Sequence, residues 1–525
     1  MIPVIDIFAG SGGLGEGFSA YIDGDGQQPF DLRLSVEKNH SAARTLKLRC
    51  FFRQFAPADV PEAYYDVLRG EMDEEALYKI KEYRTQSKLA EERVWCTELG
   101  HSDVPQRKVR KRIRQALAQS ENWVLLGGPP CQAYSLAGRS RNRGNLSYKP
   151  EKDVRQHLYL EYLQVIADHQ PAVFVMENVK GLLSATLRNK HIFLRMLKDL
   201  QYPSKALKRV GRDIARRAGA SGYNILPLVR PSVLGDTTSD PKDFIVCAEN
   251  HGIPQARHRV ILLGVRDDIG GIKPWKLNAR DPVPAGAVLR HLPRVRAGLS
   301  RCQDSDGKWD ANLLDALKQR WFRSDMGAAG EDVQTRIRKV LSDLAPPKNG
   351  QGGEFIPFEA GSDYEGDWFL DPRLRGVCNF SSRHHMPMDF HRYLFASCFA
   401  QVRRRSPCLR DFPHDLLPKH TNVARAMGTD YFADRFRVQL DDAPATTVTS
   451  HISKDGHYYI HPDPTQCRSL TVREAARLQT FPDNFFFAGP RTAQYIQVGN
   501  AVPPLLARQV AEIVWNLLEQ CGAAS

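Results

Sequence analysis

The sequence predicts an α/β protein with a doubly wound parallel sheet and a second, irregular domain. The first 40 residues have the pattern strand, glycine-rich turn, helix, strand. Later apolar runs end at a turn or an acidic residue, as parallel strands do when their carboxyl ends form a binding edge. From about residue 275 to 440 the alternation fades, and proline, glycine, arginine and aromatic residues become more frequent.

The opening unit contains the first candidate binding site. Residues 3–8 (PVIDIF) form a predicted strand, residues 9–15 (AGSGGLG) a turn that glycine makes easily, and a helix starts at Glu16. Residues 31–37 alternate as a second strand that ends at Glu37. A carboxylate there can accept hydrogen bonds from both ribose hydroxyls of a nucleoside cofactor. The alternative interpretation is that Glu37 caps a helix.

A cysteine follows the next predicted strand after the charged segment 41–120. That segment is mostly helical in pattern, with residues 72–93 as its clearest helix, and we assign it no chemistry. Residues 123–126 (WVLL) predict a buried strand, and GGPPCQ follows. The two prolines restrict the backbone and remove two N–H donors, so the thiol of Cys131 is held at the rim of the sheet. For a bare Pro-Cys pair, an incidental cysteine in a turn would be the better interpretation.

Two more strands place chemistry at the same edge. Residues 172–177 end at Glu177, and residues 260–265 follow the segment QARHR (255–259). A thiol and a carboxyl group facing one crevice can act as nucleophile and acid. Arg257 and Arg259 are two residues apart, so in extended chain both guanidinium groups are expected to point into that crevice. Surface arginines are the common alternative for such a pair.

The domain organisation follows from these patterns. Residues 1–270 are predicted to form a catalytic domain with a charged helical insertion at about 41–120, and residues 275–440 a second domain. Residues 441–525 carry a helix with a Ser/Thr start at 469–471 and a last helix at about 504–520 that returns to the first domain. The histidines near Arg383 and at His391 lack a cysteine pair or a close acid, so no metal is predicted.

Composition limits the function class. The net charge is +13, with basic clusters at 107–114, 205–217 and 403–405, which favours a polyanionic partner such as nucleic acid. Ten scattered cysteines without a Cys-x-x-Cys pair argue against a zinc ribbon or a disulfide scaffold and fit a reducing cytoplasm. No apolar run reaches the length of a membrane span, and the amino terminus is not patterned as a signal peptide.

Taken together, the motifs resemble those of the bacterial DNA (cytosine-5)-methyltransferases, in that family's order along nearly the whole chain. The matching segments are DIFAGSGGL (6–14), Glu37, GPPCQAYS (128–135), ENV (177–179), QARHR (255–259), the helix ending AARLQTFP (475–482) and QVGNAVPP (497–504). The segment between Glu37 and Cys131 is longer than in compact members, and the Asp expected against the cofactor adenine has two candidates, Asp66 and Asp103.

The resemblance implies a Rossmann-like S-adenosyl-L-methionine-dependent fold and methyl transfer to carbon 5 of a cytosine flipped out of double-stranded DNA. Cys131 would be the nucleophile, Glu177 the acid, and Arg259, with Arg257 behind it, would hold the base. Residues 275–440 would recognise the target, and a cognate restriction endonuclease or repair nuclease is a possible partner. A cytoplasmic, nucleoid-associated protein is expected. The cofactor-binding residues would be Phe8, Ala9, Gly10, Ser11, Gly13, Leu14, Glu37, Pro129, Leu158, Asn500 and Ala501.

Two other functions stay open at this point. A tRNA cytosine-5 methylase could share the fold, although the large basic recognition region favours duplex DNA. An inactive homologue could bind DNA as a regulator, although the presence of Cys131, Glu177 and Arg259 argues against it.

Overall fold

The computed structural model describes residues 1–130, 154–187, 190–215, 222–231, 240–269, 276–323, 330–418, 423 and 434–522 of the 525-residue chain. The strands of the described residues are β1 (Ile2–Ile7), β2 (Phe30–Glu37), β3 (Val94–Cys96), β4 (Val124–Gly127), β5 (Val173–Val179), β6 (Thr186–Leu187), β7 (Lys190–His191), β8 (Tyr223–Leu226), β9 (Ile245–Cys247), β10 (Gln255–Ala256), β11 (His258–Arg266), β12 (Gly298–Leu299), β13 (Phe355–Pro357), β14 (Gly376–Cys378), β15 (His384–His385) and β16 (Ala445–Thr446).

The α-helices of the same residues are α1 (Gly13–Ser19), α2 (His40–Phe52), α3 (Glu62–Arg69), α4 (Glu74–Leu77), α5 (Arg84–Arg93), α6 (Gln106–Leu117), α7 (Val154–His169), α8 (Ile192–Gln201), α9 (Pro203–Arg209), α10 (Gly286–Leu289), α11 (Asp306–Asp315), α12 (Arg320–Arg323), α13 (Gly330–Ser342), α14 (Gly366–Phe369), α15 (Pro387–Arg403), α16 (Val472–Leu478), α17 (Arg491–Asn500) and α18 (Pro504–Gln520). None of them combines the length and the apolar character that crossing a membrane would require.

The central sheet has the strand order β3-β2-β1-β4-β5-β11-β8, and β9 also pairs with β11. The strands from β3 to β5 are parallel, whereas β11 is antiparallel to β5, β8 and β9. The carboxyl ends of β1, β2, β4 and β5 therefore lie at one edge, where α/β proteins bind their ligands. The predicted α/β fold is confirmed.

Side chains of β1 alternate between the two faces of this sheet. Ile2 and Val4 join an apolar core with α1 and α18, while Ile5 and Ile7 join a second core with α6 and α7. The approach of α18 to α1 depends on Gly17, because a Cβ there would lie 2.5 Å from the backbone nitrogen of Arg508. The last helix thus packs directly on the first.

The charged segment 41–120, which was expected to be an insertion, contributes a strand to the central sheet. Its residues 94–96 form β3, the edge strand beside β2, and α6 packs against β2 and β1. The single helix expected over residues 72–93 was wrong. The structure has α4, a short 3-10 turn and α5 instead, because the chain turns near Ile80 and so packs Tyr78 and Tyr83 against Phe51.

The remaining cores cross the boundary expected at residue 440. One is centred on α15 and includes Ile460 and Cys467, and the other is centred on α16 and includes residues from 285 to 501. Strand β16 pairs with β10, directly before β11. Residues after 440 therefore belong to the same packed units as those before it, since their apolar side chains complete both cores.

Candidate active site

The first turn of the sheet combines unusual backbone conformations with a close approach of the chain. Phe8, Gly10 and Gly12 have φ values of 57°, 58° and 90°, and α1 begins at Gly13. A Cβ on Gly13 would lie 2.1 Å from the carbonyl oxygen of Val502. Glycine is required there because the loop after α17 crosses directly over the start of α1.

Glu37 organises the end of β2. Its Oε2 accepts a hydrogen bond from the Gly10 N–H at 2.9 Å, and its Oε1 accepts one from the Asn39 N–H at 2.8 Å. The α2 cap is Asn39, whose side chain accepts from Ala42, so Glu37 does not cap the helix. A carboxylate has about four acceptor positions, so both Glu37 oxygens can still accept from a ligand.

A cavity of about 510 Å³ lies along this edge of the sheet. All the predicted cofactor-binding residues line it except Ser11, which is buried and donates a 3.3 Å hydrogen bond to the carbonyl oxygen of Gln497. Ser11 therefore holds α17 against the glycine turn. The predicted residues on the wall are Phe8, Ala9, Gly10, Gly13, Leu14, Glu37, Pro129, Leu158, Asn500 and Ala501.

Neither aspartate considered for the adenine end lies on the cavity wall. Asp66 pairs with Arg69 on α3, and Asp103 is exposed beside His101. Glu98, just after β3, does line the cavity, and it pairs with Lys38 at 3.1 Å. Glu98 gives no signal in the sequence, because the strand that carries it to this edge has only three residues.

The proline turn after β4 reaches the opposite wall. Gly128, Pro129 and Pro130 line the cavity, and Cys131 lies outside the described residues. Asn178 is buried beneath the turn, where its Nδ2 donates to the Pro129 carbonyl oxygen at 3.4 Å. Its Oδ1 accepts from the Val179 N–H at 2.8 Å, which sets the orientation of the amide. Asn178 thus holds the proline turn against β5.

Glu177 and Arg259 form a pair at the cavity wall, from the neighbouring antiparallel strands β5 and β11. Arg259 Nε lies 2.9 Å from Glu177 Oε1, and their side chains are 14% and 13% exposed. A Cβ on Gly128 would lie 3.1 Å from Glu177 Oε2, so the carboxylate is directly beside the proline turn. Because both groups are largely shielded from water, their charges act strongly on any polar group that enters the cavity.

Arg257 does not accompany Arg259 into the cavity, which corrects the expected convergence of the two guanidinium groups. It is fully buried and donates to the carbonyl oxygens of Val448 at 2.7 Å, Gly499 at 3.2 Å and Ala501 at 2.7 Å. Between β10 and β11 the chain is not a regular strand, so i and i+2 need not share a face. Arg257 holds the last loop of the cavity wall in place.

Asp6 lies at the base of the cavity and is completely buried. Burial raises the pKa of its carboxyl group to about 7, an effect that Arg53 opposes and Glu37 reinforces. This carboxyl group therefore changes charge near neutral pH, unlike an ordinary aspartate.

A second cavity, of about 480 Å³, lies beside the first. The segment that follows β16 joins them, because Thr449 and Ser450 line the first cavity whereas His451 and Lys454 line the second. Its wall also includes Arg383, Arg435, His384 and His457. His391 lies elsewhere, bonded to the Asn312 carbonyl oxygen at 2.8 Å.

The basic cluster at 403–405 is neutralised in the structure. Arg403 pairs with Asp332, Arg404 with Asp442 and Arg405 with Asp411. By contrast, α6 presents a solvent-exposed cationic face opposite its buried apolar residues. The excess charge of the chain is therefore not spread evenly over its clusters.

Comparisons with known proteins are consistent with this geometry. Residues 85–207 and 243–515 match the family model described as "C-5 cytosine-specific DNA methylase". A protein of Bacillus paralicheniformis, type II methyltransferase M.Bpa9945I, is 31% identical over 98% of this chain and 99% of its own length. Type II methyltransferase M.AgeI of Thalassovita gelatinovora is 27% identical over 80% and 88%. DNA (cytosine-5-)-methyltransferase M.ApeKI of Aeropyrum pernix is 25% identical over 75% and 81%.

Proposed function

The chain belongs to the C-5 cytosine-specific DNA methylases, and from this we propose that it acts through a covalent adduct between Cys131 and a cytosine flipped out of duplex DNA. It is a DNA (cytosine-5-)-methyltransferase that uses S-adenosyl-L-methionine. The observation that carries the proposal is the Glu177–Arg259 pair beside the proline turn that leads to Cys131, on the wall of one cavity.

The residues at the β1–β2 end of the cavity fit the methyl donor. Glu37 has acceptor capacity for ribose hydroxyls, and the side chains of Phe8, Leu158 and Ala501 provide apolar walls. S-adenosyl-L-methionine supplies an electrophilic methyl group when bound. We assign Glu37 and Glu98 to the nucleoside part of S-adenosyl-L-methionine and the glycine turn to the rest of that molecule, because these groups line one continuous space.

The chain's own residues supply the activation of the base. The Cys131 sulfur adds as a thiolate to carbon 6 of the cytosine ring, which makes carbon 5 nucleophilic. After carbon 5 has been methylated, removal of its proton expels the sulfur. Glu177 offsets the charge that develops at ring nitrogen 3, by holding a proton between its carboxyl group and that nitrogen. Arg259 holds the Glu177 carboxyl group and presents donors to the carbonyl side of the base.

The base must leave the duplex for this chemistry, at a cost of a few kcal/mol. We assign target recognition to residues 275–440 together with the segment that follows β16. The second cavity, which we call the recognition cavity, supports this assignment, because cationic and histidine side chains from both regions line it next to the catalytic cavity. Its Arg383, Arg435 and Lys454 have the donors that phosphate oxygens and guanine edges accept.

The biological role that fits best is modification within a restriction-modification system. A relative that aligns with 98% of the chain and another that aligns with 80% of it are both named type II methyltransferases. A cognate restriction endonuclease is the partner this role implies.

A trapping experiment tests the mechanism. Duplex DNA with 5-fluorocytosine at the target position should form a denaturation-resistant adduct, because carbon 5 then carries fluorine in place of the proton whose removal releases the enzyme. The target itself comes from bisulfite sequencing of DNA from cells that express the chain. The adduct should require S-adenosyl-L-methionine and Cys131, so Cys131→Ala should form none.

A second cysteine variant serves as the matched control for Cys131→Ala. Cys302→Ala removes an exposed cysteine far along the chain and should leave the adduct unchanged. Adduct formation by Cys131→Ala, or methyl transfer to tRNA but not to duplex DNA, would contradict the proposal.

A further inference from the structure

Three potential metal ligands meet beside the start of β11, the strand that carries Arg259. Cys247 ends β9, Glu249 follows in the short 3-10 turn Ala248–Asn250, and His258 begins β11. One ligand atom from each of them lies within 4.8 Å of the other two. His258 and Cys247 are directly paired across β9 and β11, so their side chains leave the sheet on the same face.

The cluster is not explained as an ion pair alone. His258 Nε2 and Glu249 Oε1 are 2.6 Å apart, but the buried Glu249 Oε2 accepts no hydrogen bond from any described group. The Cys247 thiol is free and only partly buried. A buried carboxylate oxygen without a donor is costly, and a bound cation would satisfy it.

The donor set selects a chemical class of cation. Thiolate, imidazole and carboxylate together suit Zn²⁺ or Co²⁺, whereas Ca²⁺ and Mg²⁺ prefer oxygen ligands only. Bond lengths of about 2.0–2.3 Å place tetrahedral ligands about 3.3–3.8 Å apart, so the 2.6 Å contact between His258 and Glu249 has to lengthen when a metal binds. The Glu249 and His258 side chains are 18% and 37% exposed, which leaves a path for the ion and a position for water.

We propose that Cys247, Glu249 and His258 form a binding site for a divalent transition metal of the Zn²⁺ class, which joins β9 to β11 on the face opposite Arg259. Binding exchanges the Cys247 thiol proton for the metal and releases it to solvent. Neighbouring residues on β11 point to opposite faces, so the site lies behind the Glu177–Arg259 pair and outside the catalytic cavity. A filled site would stiffen the start of the strand that positions Arg259.

Metal binding by the untagged full-length protein tests the site without any reference to methyl transfer. The background is Cys131→Ser, so that the proposed nucleophile cannot contribute a thiolate. Calorimetric titration with Zn²⁺ should show one site, and Co²⁺ should give a thiolate-to-cobalt charge-transfer band. Cys247→Ser should abolish the band, and Glu249→Gln and His258→Gln should each weaken Zn²⁺ binding at least tenfold.

Matched controls use residues of the same types elsewhere. Cys302→Ser and His414→Gln change an exposed cysteine and an exposed histidine and should bind Zn²⁺ like the parent. A parent protein without a thiolate band, or a band that persists in Cys247→Ser, would overturn the proposal.

A second measurement needs no variant of the site. Zn²⁺ should slow alkylation of Cys247 by iodoacetamide at least tenfold, relative to Cys302 in the same molecule, as followed by peptide mass spectrometry. Equal rates with and without Zn²⁺ would contradict a site at Cys247 even if the substituted proteins failed to fold.

Discussion

Arg257 and Arg259 illustrate how nearby positions take different roles. The two residues lie on either side of His258, yet one binds three backbone carbonyl groups in the interior and the other faces the cavity beside Glu177. The difference arises because the regular strand begins only at His258. Sequence spacing identifies both as candidates, and only the backbone path separates them.

Replacing each of these arginines by lysine should therefore have opposite consequences. Arg259→Lys keeps the charge but loses the forked donors, so kcat should fall about tenfold or more with little change in stability. Arg257→Lys leaves buried carbonyl groups without donors, so the free energy of unfolding should fall by about 2 kcal/mol or more. Single-turnover kinetics and urea unfolding of both variants measure this contrast. Equal loss of stability in the two variants would contradict it.

Asp6 gives a prediction about pH. Its folded pKa of about 7 exceeds the ordinary 3.8, so the folded state favours the protonated form. Ionisation therefore costs stability as pH rises from about 4 to about 7, and the cost is complete above that range. An asparagine side chain cannot ionise, so the free energy of unfolding of Asp6→Asn, relative to wild type, should rise by about 2–3 kcal/mol between pH 5 and pH 8. Urea unfolding at both pH values checks this, and a constant difference would show that Asp6 does not titrate in this range.

At the scale of elements, α16 is held by a buried network of charges. Thr471 and Glu474 form a capping box, and Arg468 donates to both oxygens of Glu474 at 2.6 Å. Burial alone would raise the pKa of Glu474, but Arg468 and His461 lower it well below its usual range. Helix α16 anchors the core that also contains Val448 and Ala501, two of the residues whose carbonyl oxygens Arg257 binds.

Breaking this network should be far more damaging than breaking an exposed pair. Glu474→Gln keeps one acceptor for the Thr471 N–H but leaves buried Arg468 without a counter-charge, so unfolding should become easier by about 3–5 kcal/mol. Asp441→Asn removes the partner of Arg290 where both side chains are about half exposed, and should cost less than about 1 kcal/mol. Chemical denaturation of the two variants compares them, and similar losses would refute the distinction.

At the scale of the whole molecule, a site residue can be predicted from sequence when the local pattern also determines where that residue lies in the fold. The glycine turn, Glu37 and Glu177 could be placed at one edge because parallel strands share their carboxyl ends. Glu98 could not be found, since a strand as short as β3 has no detectable alternation. The packing across residue 440 could not be predicted either, because Ile460 and Cys467 complete a core whose other members are distant in the chain. Long-range packing of this kind has no local signature.

The recognition cavity and α6 provide the last comparison, because both present cations but only one adjoins the catalytic cavity. Helix α6 packs among the residues of the second sheet core, whereas Lys454 and Arg435 line the recognition cavity.

Each phosphate contact contributes about 0.9 to the slope of log affinity against log salt. The double variant Lys454→Gln/Arg435→Gln should therefore lower the slope for target duplex by about 1–2, measured by fluorescence anisotropy. The control Lys111→Gln/Arg114→Gln removes the same charge from the exposed face of α6 and should leave the slope unchanged. If the α6 variant lowered the slope and the cavity variant did not, DNA would bind on the side of the sheet that α6 covers. The assignment of the recognition cavity would then be wrong.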